Sequence, residues 1–321
     1  MHNAIEAEGL VKRFGKVRAV NGIDLAVPAG SIYAVLGPNG AGKTTAVRML
    51  ATLIRPEAGT ARIFGLDVVR QAQAVRDHIS LTGQFASIDD DLTGRENLML
   101  LARLLGLSGR QARARADQLL EVFGLSEAAT RQVKKFSGGM RRRIDIAASI
   151  IVAPDLLFLD EPTTGLDPRS RNQVWDIVRL LVSGGTTVML TTQYLEEADQ
   201  LADRIAVIDR GRVIAEGTSA ELKARVGTGS LRIALGASGQ RPAAQAILEN
   251  VLRVAVEAEA GDLVLAARVS DGAAVARALG ALANASIDVT DFSFGRPTLD
   301  EVFLSLTGHP AETPTAQGEA A

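Results

Sequence analysis

A glycine-rich segment between an apolar run and a helix-forming run constrains the fold of this chain most strongly. Residues 37–44 read Gly-Pro-Asn-Gly-Ala-Gly-Lys-Thr and fit the pattern G-x-x-x-x-G-K-[ST]. Residues 31–36 precede it as a predicted buried strand, and the pattern becomes helical from Gly42 through Leu53. Backbone amides in such a loop, next to a helix N-terminus, form a concave site for phosphate oxygens. The sequence therefore predicts an α/β domain with a phosphate-binding loop.

The side chains at the end of this loop supply its chemistry. Lys43 is predicted to neutralise charge on the β- and γ-phosphates, and the Thr44 hydroxyl is predicted to bind Mg²⁺. A glycine-rich turn that holds no ligand is the alternative, and the complete motif with its flanks disfavours it. The predicted nucleotide contacts in this segment are Gly37, Pro38, Asn39, Gly40, Ala41, Gly42, Lys43, Thr44 and Thr45.

Two carboxylates follow a second apolar run, at residues 156–159. Asp160 is predicted to hold Mg²⁺, directly or through water. Glu161 is predicted to orient or deprotonate the attacking water, because phosphoryl transfer depends on positioning and charge neutralisation. Acids after a buried strand can also be merely solvated, and the phosphate-binding loop is what favours the catalytic interpretation.

Charge and composition limit the kinds of partner and metal site that are expected. The chain has 35 basic and 37 acidic residues, a net charge of −2, so no global field attracts a polyanion and nucleic acid is not an expected partner. Cysteine is absent and histidine occurs three times, so we expect a hard, oxygen-bound metal rather than a thiolate site. No apolar run approaches the roughly 18 residues that span a bilayer, and residues 1–15 lack a secretory signal. The chain is expected to be soluble or peripheral.

Strand and helix signals divide the 321 residues into two domains and a tail. Residues 1–223 predict an α/β domain with a parallel core sheet, a small antiparallel β subdomain and a helical subdomain at about 90–150. Helical spacing extends over 93–123 and starts at a capping box. Residues 224–308 show the order βαββαβ and a final helix, which predicts a small ferredoxin-like α+β module. The tail, 309–321, is predicted to be disordered.

A further anion site is predicted where a serine and two glycines precede a helix from about 141 to 151. Alone, this run would be interpreted as a flexible turn that caps a helix. Together with the motifs above, Phe136 to Met140 resembles Leu-Ser-Gly-Gly-Gln, the signature of the ATP-binding subunits of ABC transporters. The resemblance covers residues 1 to about 220 and implies an ABC-type P-loop ATPase fold that uses ATP and Mg²⁺. It assigns ATP contacts across a homodimer interface to Ser137, Gly138 and Gly139.

The same resemblance assigns four more site residues. It places Phe14 under the adenine ring and Asp167 in the D-loop beside the nucleotide. Gln84 corresponds to the Q-loop, a catalytic and Mg²⁺-binding position. Gln193 occupies the position of the switch histidine, as a catalytic residue at the γ-phosphate. Glutamine can donate an amide hydrogen there but cannot carry a positive charge.

Three runs together look like the daunorubicin/doxorubicin-resistance branch of these ATPases, in which this glutamine is tolerated. They are residues 136–143, 191–199 and 298–304. The resemblance implies an ATPase subunit that powers drug export through a separate membrane permease, and so a peripheral protein at the cytoplasmic face of the cell membrane. Export of a lipid or glycan and a soluble, non-transport ABC ATPase remain alternatives. A P-loop kinase or GTPase is disfavoured by the signature.

The basic cluster Arg141 to Arg143 could be interpreted as an RNA or lipid contact. Short basic clusters are common, and the net charge is negative. We therefore expect a solvated or intersubunit helix face.

Overall fold

A computed structural model describes residues 2–82, 88–225, 229–258, 263–269, 271–295 and 298–307. The described residues form two compact units, one ending at Ser219 and one starting at Ala220. The domain limits 1–223 and 224–308 stay predictions. The predicted disordered tail, 309–321, lies outside the described residues.

The first unit alternates strands and helices, as the sequence pattern predicts. Its strands are β1 (Asn3–Phe14), β2 (Val17–Pro28), β3 (Ile32–Leu36), β4 (Ala58–Ile63), β5 (Leu66–Asp67), β6 (Ile79–Thr82), β7 (Leu156–Asp160), β8 (Thr187–Thr192), β9 (Arg204–Asp209) and β10 (Arg212–Gly217). Its helices are α1 (Lys43–Leu50), α2 (Ala72–His78), α3 (Gly94–Leu104), α4 (Gly109–Val122), α5 (Gly138–Ser149), α6 (Pro168–Ser183) and α7 (Leu195–Leu201). The next helix, α8 (Ser219–Arg225), contains the division between the units. Short 3₁₀ helices span Ser126–Ala128 and Val133–Lys135.

A six-stranded sheet forms the centre of the first unit, in the order β10-β9-β3-β8-β7-β6. All pairings are parallel except that of β10 with β9. β3, β7 and β8 are buried along their whole length, as expected of strands covered on both faces. Because β3, β7 and β8 are parallel neighbours, their carboxyl ends meet at one edge of the sheet, where ligands bind in open α/β folds. The predicted parallel core sheet is confirmed.

Two further layers complete this unit. An antiparallel sheet, β2-β1-β4-β5, shares a hydrophobic core with the parallel sheet, and side chains such as Leu10, Ile23 and Phe158 form it. The helical part contains α3, α4 and α5. The Thr93 side chain caps α3 in the predicted capping box with Glu96, which satisfies amides that the helix itself leaves unpaired.

The second unit is a small α+β module with its own core. Its sheet order is β12-β13-β11-β14, all antiparallel, with α9 and α10 connecting the strands in the predicted order βαββαβ. Leu231, Ile233, Leu248, Leu265 and Leu282 belong to its core. The elements are β11 (Ser230–Leu235), a 3₁₀ turn (Ser238–Gln240), α9 (Arg241–Leu252), β12 (Val256–Ala258), β13 (Val264–Arg268), α10 (Gly272–Asn284), β14 (Val289–Gly295) and α11 (Leu299–Thr307).

A helix must be long and apolar to cross a membrane. Within the described ranges, no helix of either unit combines these two properties.

Candidate active site

The glycine-rich loop joins β3 to α1 and borders a cavity of about 350 Å³. Residues 38–45, Ala19 and Glu161 line this cavity. Gly40 and Gly42 have φ angles of 78° and 106°, a backbone region that side chains with a Cβ rarely adopt. A Cβ on Gly42 would also lie 2.2 Å from the carbonyl oxygen of Ala19. Glycine at these positions therefore lets the loop curve around a concave space.

Lys43 is the first residue of α1 and is only 4% exposed. Its Nζ donates hydrogen bonds to the carbonyl oxygens of Gly37 at 2.7 Å and Pro38 at 3.2 Å. The same Nζ lies 3.6 Å from Oε1 of Glu161. A buried ammonium group is costly unless it is paired, and these contacts compensate it. The loop therefore holds a fixed positive charge at the helix N-terminus.

Asp160 ends β7 and faces the first turn of α1. Its Oδ1 accepts hydrogen bonds from the hydroxyl groups of Thr44 at 3.1 Å and Thr191 at 2.5 Å. Carboxylate and hydroxyl oxygens are the ligands that Mg²⁺ prefers, so this pair fits the predicted ion. The third residue predicted to bind Mg²⁺, Gln84, lies outside the described residues.

Glu161 follows the strand and lines the loop cavity. Its backbone N–H donates to the carbonyl oxygen of Thr191 at 3.1 Å and to the hydroxyl oxygen of Thr191 at 3.0 Å. Its Oε2 accepts a hydrogen bond from the Thr164 hydroxyl at 3.3 Å. Thr191, near the end of β8, thus anchors both carboxylate residues. The structure brings together Lys43, Thr44, Asp160 and Glu161, as predicted from the sequence.

The Ser-Gly-Gly run starts α5, away from this cavity. Ser137 is exposed and caps the helix, and its side chain accepts a hydrogen bond from the Met140 amide at 3.3 Å. Gly138 is exposed, whereas Gly139 is buried against α6. The described residues that line the loop cavity include none of these three. Within one chain, the two predicted anion sites are therefore separate.

Three other predicted site residues lie at different places in the first unit. Asp167 caps α6 by accepting hydrogen bonds from the amide and hydroxyl of Ser170 at 3.0 and 2.6 Å, which lower the pKa of its carboxyl group. Gln193 has a buried Oε1 with no hydrogen-bond partner among the described residues. Phe14 is 52% exposed, and Nζ of Lys12 lies 5.8 Å from its ring centroid. Their roles at a nucleotide stay predictions.

The sequence matches two protein families and is similar to several named relatives. A family model described as ABC transporter matches residues 20–164, and one described as ATP-binding protein DrrA1-3-like, C-terminal domain, matches residues 217–307. The daunorubicin/doxorubicin resistance ATP-binding protein DrrA of Streptomyces peucetius is 59% identical over 309 residues, 96% of this chain and 94% of the relative. The chain belongs to the DrrA family of ABC transporter ATP-binding proteins. It is therefore an ATPase of the ABC type, and the predicted resemblance is confirmed.

Other DrrA-like and ABC proteins extend this comparison. The doxorubicin resistance ATP-binding protein DrrA of Mycobacterium tuberculosis (strain H37Rv) is 45% identical over 97% of this chain and 96% of its own length. The Nod factor export ATP-binding protein I of Paraburkholderia xenovorans is 43% identical but covers only 68% of this chain and 72% of its own length. The DrrA relatives thus match both units, and the Nod factor relative matches about two thirds of the chain.

Solved ABC cassettes share the fold of this DrrA family member. An ATP-binding subunit of an ABC transporter matches with a TM-score of 0.62 at 26% identity, over 70% of this chain and 93% of that one. A dimeric ATP-binding cassette in a post-hydrolysis state, bound to ADP and Pi, has a TM-score of 0.61 at 24% identity, over 67% and 98%. The predicted ABC-type fold is confirmed.

Arg142 and Arg143 are partly exposed and bind backbone carbonyl groups, so the cluster is not the fully solvated face that was expected, and the intersubunit alternative stays a prediction. Arg142 donates hydrogen bonds to the carbonyl oxygens of Pro162 and Asp160, and Arg143 donates to the carbonyl oxygen of Phe123 at 2.8 Å. Arg141 pairs with Asp90, an exposed acid. The net charge of the chain could not reveal this arrangement. It does not show that α5 turns two of its three arginines towards backbone carbonyl groups.

Sequence reasoning also missed Thr191 and the buried pair Trp175 and Glu197. Glu197 is 1% exposed, and its Oε1 accepts a hydrogen bond from Nε1 of Trp175 at 3.2 Å. Burial raises the pKa of this carboxyl group. Two consecutive threonines at the end of an apolar strand were a usable signal for Thr191, because hydroxyl groups at a strand end can reach neighbouring carboxylates.

Proposed function

We propose that this chain binds MgATP at the loop 37–45 and hydrolyses it to power the export of a hydrophobic drug through a separate membrane permease. The main support is the convergence of a buried cation, a carboxylate beside a hydroxyl, and a second carboxylate at one sheet edge. The hydroxyl oxygen of Thr44 lies 3.1 Å from Oδ1 of Asp160, and Nζ of Lys43 lies 3.6 Å from Oε1 of Glu161.

The loop binds the triphosphate in this proposal. The backbone amides at the start of α1 point towards its phosphate oxygens and add the positive end of the helix dipole. Lys43 exchanges its contacts with backbone carbonyl groups for the β- and γ-phosphates. The oxygens of Thr44 and Asp160 would hold Mg²⁺, and Gln84 is proposed as a further ligand. The bound ion supplies charge neutralisation between the phosphate groups.

Glu161 acts on the attacking water. Its carboxylate lines the cavity beside Lys43, where it can orient the water or accept its proton. Gln193 donates an amide hydrogen to the γ-phosphate, and Phe14 stacks under the adenine ring. Lys43 and Gln193 would then stabilise the negative charge that develops on the γ-phosphate in the transition state.

A second copy of the chain completes each site. Ser137 is exposed at the N-terminus of α5 and lies outside the loop cavity of its own chain, so it is available to a nucleotide held by a partner. Gly138, Gly139 and Asp167 extend that surface. The dimeric cassette bound to ADP and Pi, which shares this fold, supports such an arrangement. ATP then joins two chains head to tail, and hydrolysis releases them.

The permease is proposed to dock in a groove of the first unit. A cavity of about 420 Å³ lies between β6 and the helices α3 and α5, and Leu81, Leu101, Leu105 and Ala148 are among its lining residues. Apolar walls of this kind fit an amphipathic helix of a partner. Docking there would place the chain at the cytoplasmic face of the membrane.

The cargo is proposed from the relatives. Those named for daunorubicin and doxorubicin resistance match both units of this chain, which favours a hydrophobic drug. Export of a lipid or glycan is the second candidate, and the relative named for Nod factor export favours it over part of the chain.

The first experiment replaces the proposed base. Glu161→Gln should lower the ATP hydrolysis rate by about 100- to 10,000-fold, because a positioned base contributes that much, while ATP affinity is retained. Hydrolysis and nucleotide binding are measured on the same preparations. A variant that turns over ATP at the normal rate would remove Glu161 from its proposed role.

The second experiment tests the cargo. Expression of the chain with its permease in a daunorubicin-sensitive host should raise the lethal drug concentration, and Glu161→Gln should cancel this protection. Protection that survives the substitution, or no protection from an assembled complex, would contradict drug export.

A further inference from the structure

Arg142 reaches from α5 to the segment that contains Glu161. Its Nε donates a hydrogen bond to the carbonyl oxygen of Pro162 at 2.9 Å, and its Nη2 donates to the carbonyl oxygen of Asp160 at 3.2 Å. These acceptors lie one residue before and one residue after Glu161. One guanidinium edge therefore spans the backbone of the glutamate, a geometry that the rigid fork of arginine provides.

Arg142 is partly buried, and its guanidinium lies near several carboxylates. Burial lowers the pKa of Arg142, whereas the nearby carboxylates of Asp145, Glu197 and Asp160 favour its charged form. Buried charges are retained in proteins when opposite charges and hydrogen bonds compensate them. Acidic side chains on α5, α7 and β7 thus lie close to Arg142.

Glu161 needs such support because its backbone is strained. Its φ is 48°, in the left-handed region, which costs a residue other than glycine. Thr191 fixes the amide of Glu161 from one side through two contacts. Arg142 fixes the flanking carbonyl groups from α5, the helix whose first turn follows Ser137.

We propose that Arg142 is a positioning residue for ATP hydrolysis, which holds the backbone around Glu161 so that its carboxylate faces the attacking water. The proposal rests on the proposed catalytic role of Glu161. It also ties the alignment of Glu161 to the helix that presents Ser137 to the partner's nucleotide.

Arg142→Lys tests the fork directly, because it keeps the charge but cannot bridge two carbonyl groups. In the full chain, it should lower kcat for ATP by about 100-fold, the order of loss that a small misplacement causes, with KM unchanged within about twofold. Arg115→Lys is the matched control, because Arg115 uses the same Nε and Nη2 edge on the carbonyl oxygens of Ile151 and Ile150, at the other end of α5. This control should keep its kcat.

A second substitution keeps the test possible if the Arg142→Lys chain does not fold. Arg142→Gln removes the buried charge and retains an amide donor, and it should show the same loss of kcat with KM retained. A kcat near that of the unmodified chain in a folded Arg142 variant would overturn the proposal. An equal loss in Arg115→Lys would also overturn it.

A double variant separates positioning from a general structural role. Because Arg142 acts through Glu161, adding Arg142→Lys to Glu161→Gln should change the residual hydrolysis by no more than about twofold, as expected of coupled residues. A further loss as large as in the unmodified background would contradict the proposal. If Glu161→Gln alone hydrolyses ATP normally, the proposed role of Glu161 fails, and the positioning role of Arg142 fails with it. If Glu161→Gln is inactive and Arg142→Lys is fully active, only the positioning role fails.

Discussion

Glu161 shows how a functional residue can depart from its local preference. A proline follows it, and a residue before proline usually adopts an extended conformation. The structure instead gives it a φ of 48°, a strained state that costs on the order of 1–3 kcal/mol. The chemistry of this residue could be predicted from the two carboxylates after a strand. Its conformation could not, because the side chains that contact this stretch of backbone, Thr191 and Arg142, are distant in sequence.

Asp145 predicts a pH dependence at the residue scale. Burial raises the pKa of its carboxyl group to about 6 from the ordinary value of 3.8, although Arg142 and Arg141 oppose the shift. The neutral carboxyl group of Asp145 adds to the free energy of unfolding. This contribution is fully present below pH 3.8 and is lost as the pH rises through about 6. Asp145→Asn mimics the neutral form, so it should stabilise the first unit by about 1 kcal/mol at pH 7.5, after allowing for partial exposure.

The measurement is the urea midpoint of unfolding at several pH values. The gain from Asp145→Asn should shrink as the pH falls below 6 and vanish near pH 4. Asp77→Asn is a suitable control, because Asp77 is an exposed carboxylate at the same cavity. A gain that does not depend on pH, or an equal gain in the control, would contradict the account.

At the element scale, α5 and α6 approach so closely that one glycine is required. A Cβ on Gly139 would lie 2.3 Å from Oγ and 2.6 Å from Cβ of Ser170, whereas a Cβ on Gly138 would find its nearest neighbour, a methyl group of Leu166, at 3.7 Å. Ser170 cannot move away freely, because it donates two hydrogen bonds to Asp167. A Cβ therefore fits at Gly138 but not at Gly139.

Gly139→Ala should lower the free energy of unfolding by about 1–3 kcal/mol, the usual cost of overpacking. Gly138→Ala should leave it unchanged or raise it by up to about 1 kcal/mol, because alanine restricts the unfolded chain. Urea unfolding of both variants tests this difference. Equal stability of the two would show that the helices separate easily.

Most elements could be predicted because their signals are local. The alternation of strands and helices, the capping box at Thr93 and the order βαββαβ all lie in short sequence windows. The helical spacing over 93–123 did not reveal the break between α3 and α4, although Ser108 and Gln111 form a second capping box there. The burial of Arg142 had no local signal, because its acceptors lie 18 and 20 residues away.

At the scale of the whole molecule, the described structure separates the two anion sites within one chain. Lys43 and Glu161 border the loop cavity, and Ser137 lies outside it. The sequence could predict both sites from their motifs but not their separation, which depends on where the helical part places α5. In the proposed function, each nucleotide therefore lies between two chains.

The absence of cysteine allows a direct test of that requirement. Asn39 and Ser137 are both exposed, so Asn39→Cys and Ser137→Cys can be introduced together into the Glu161→Gln chain. Each single-cysteine variant serves as a control. With ATP and a mild oxidant, the double variant should form a disulfide-linked dimer, and neither control should, while omission of ATP should prevent the link. A double variant that binds ATP but never crosslinks, or that crosslinks equally without it, would contradict the shared nucleotide site.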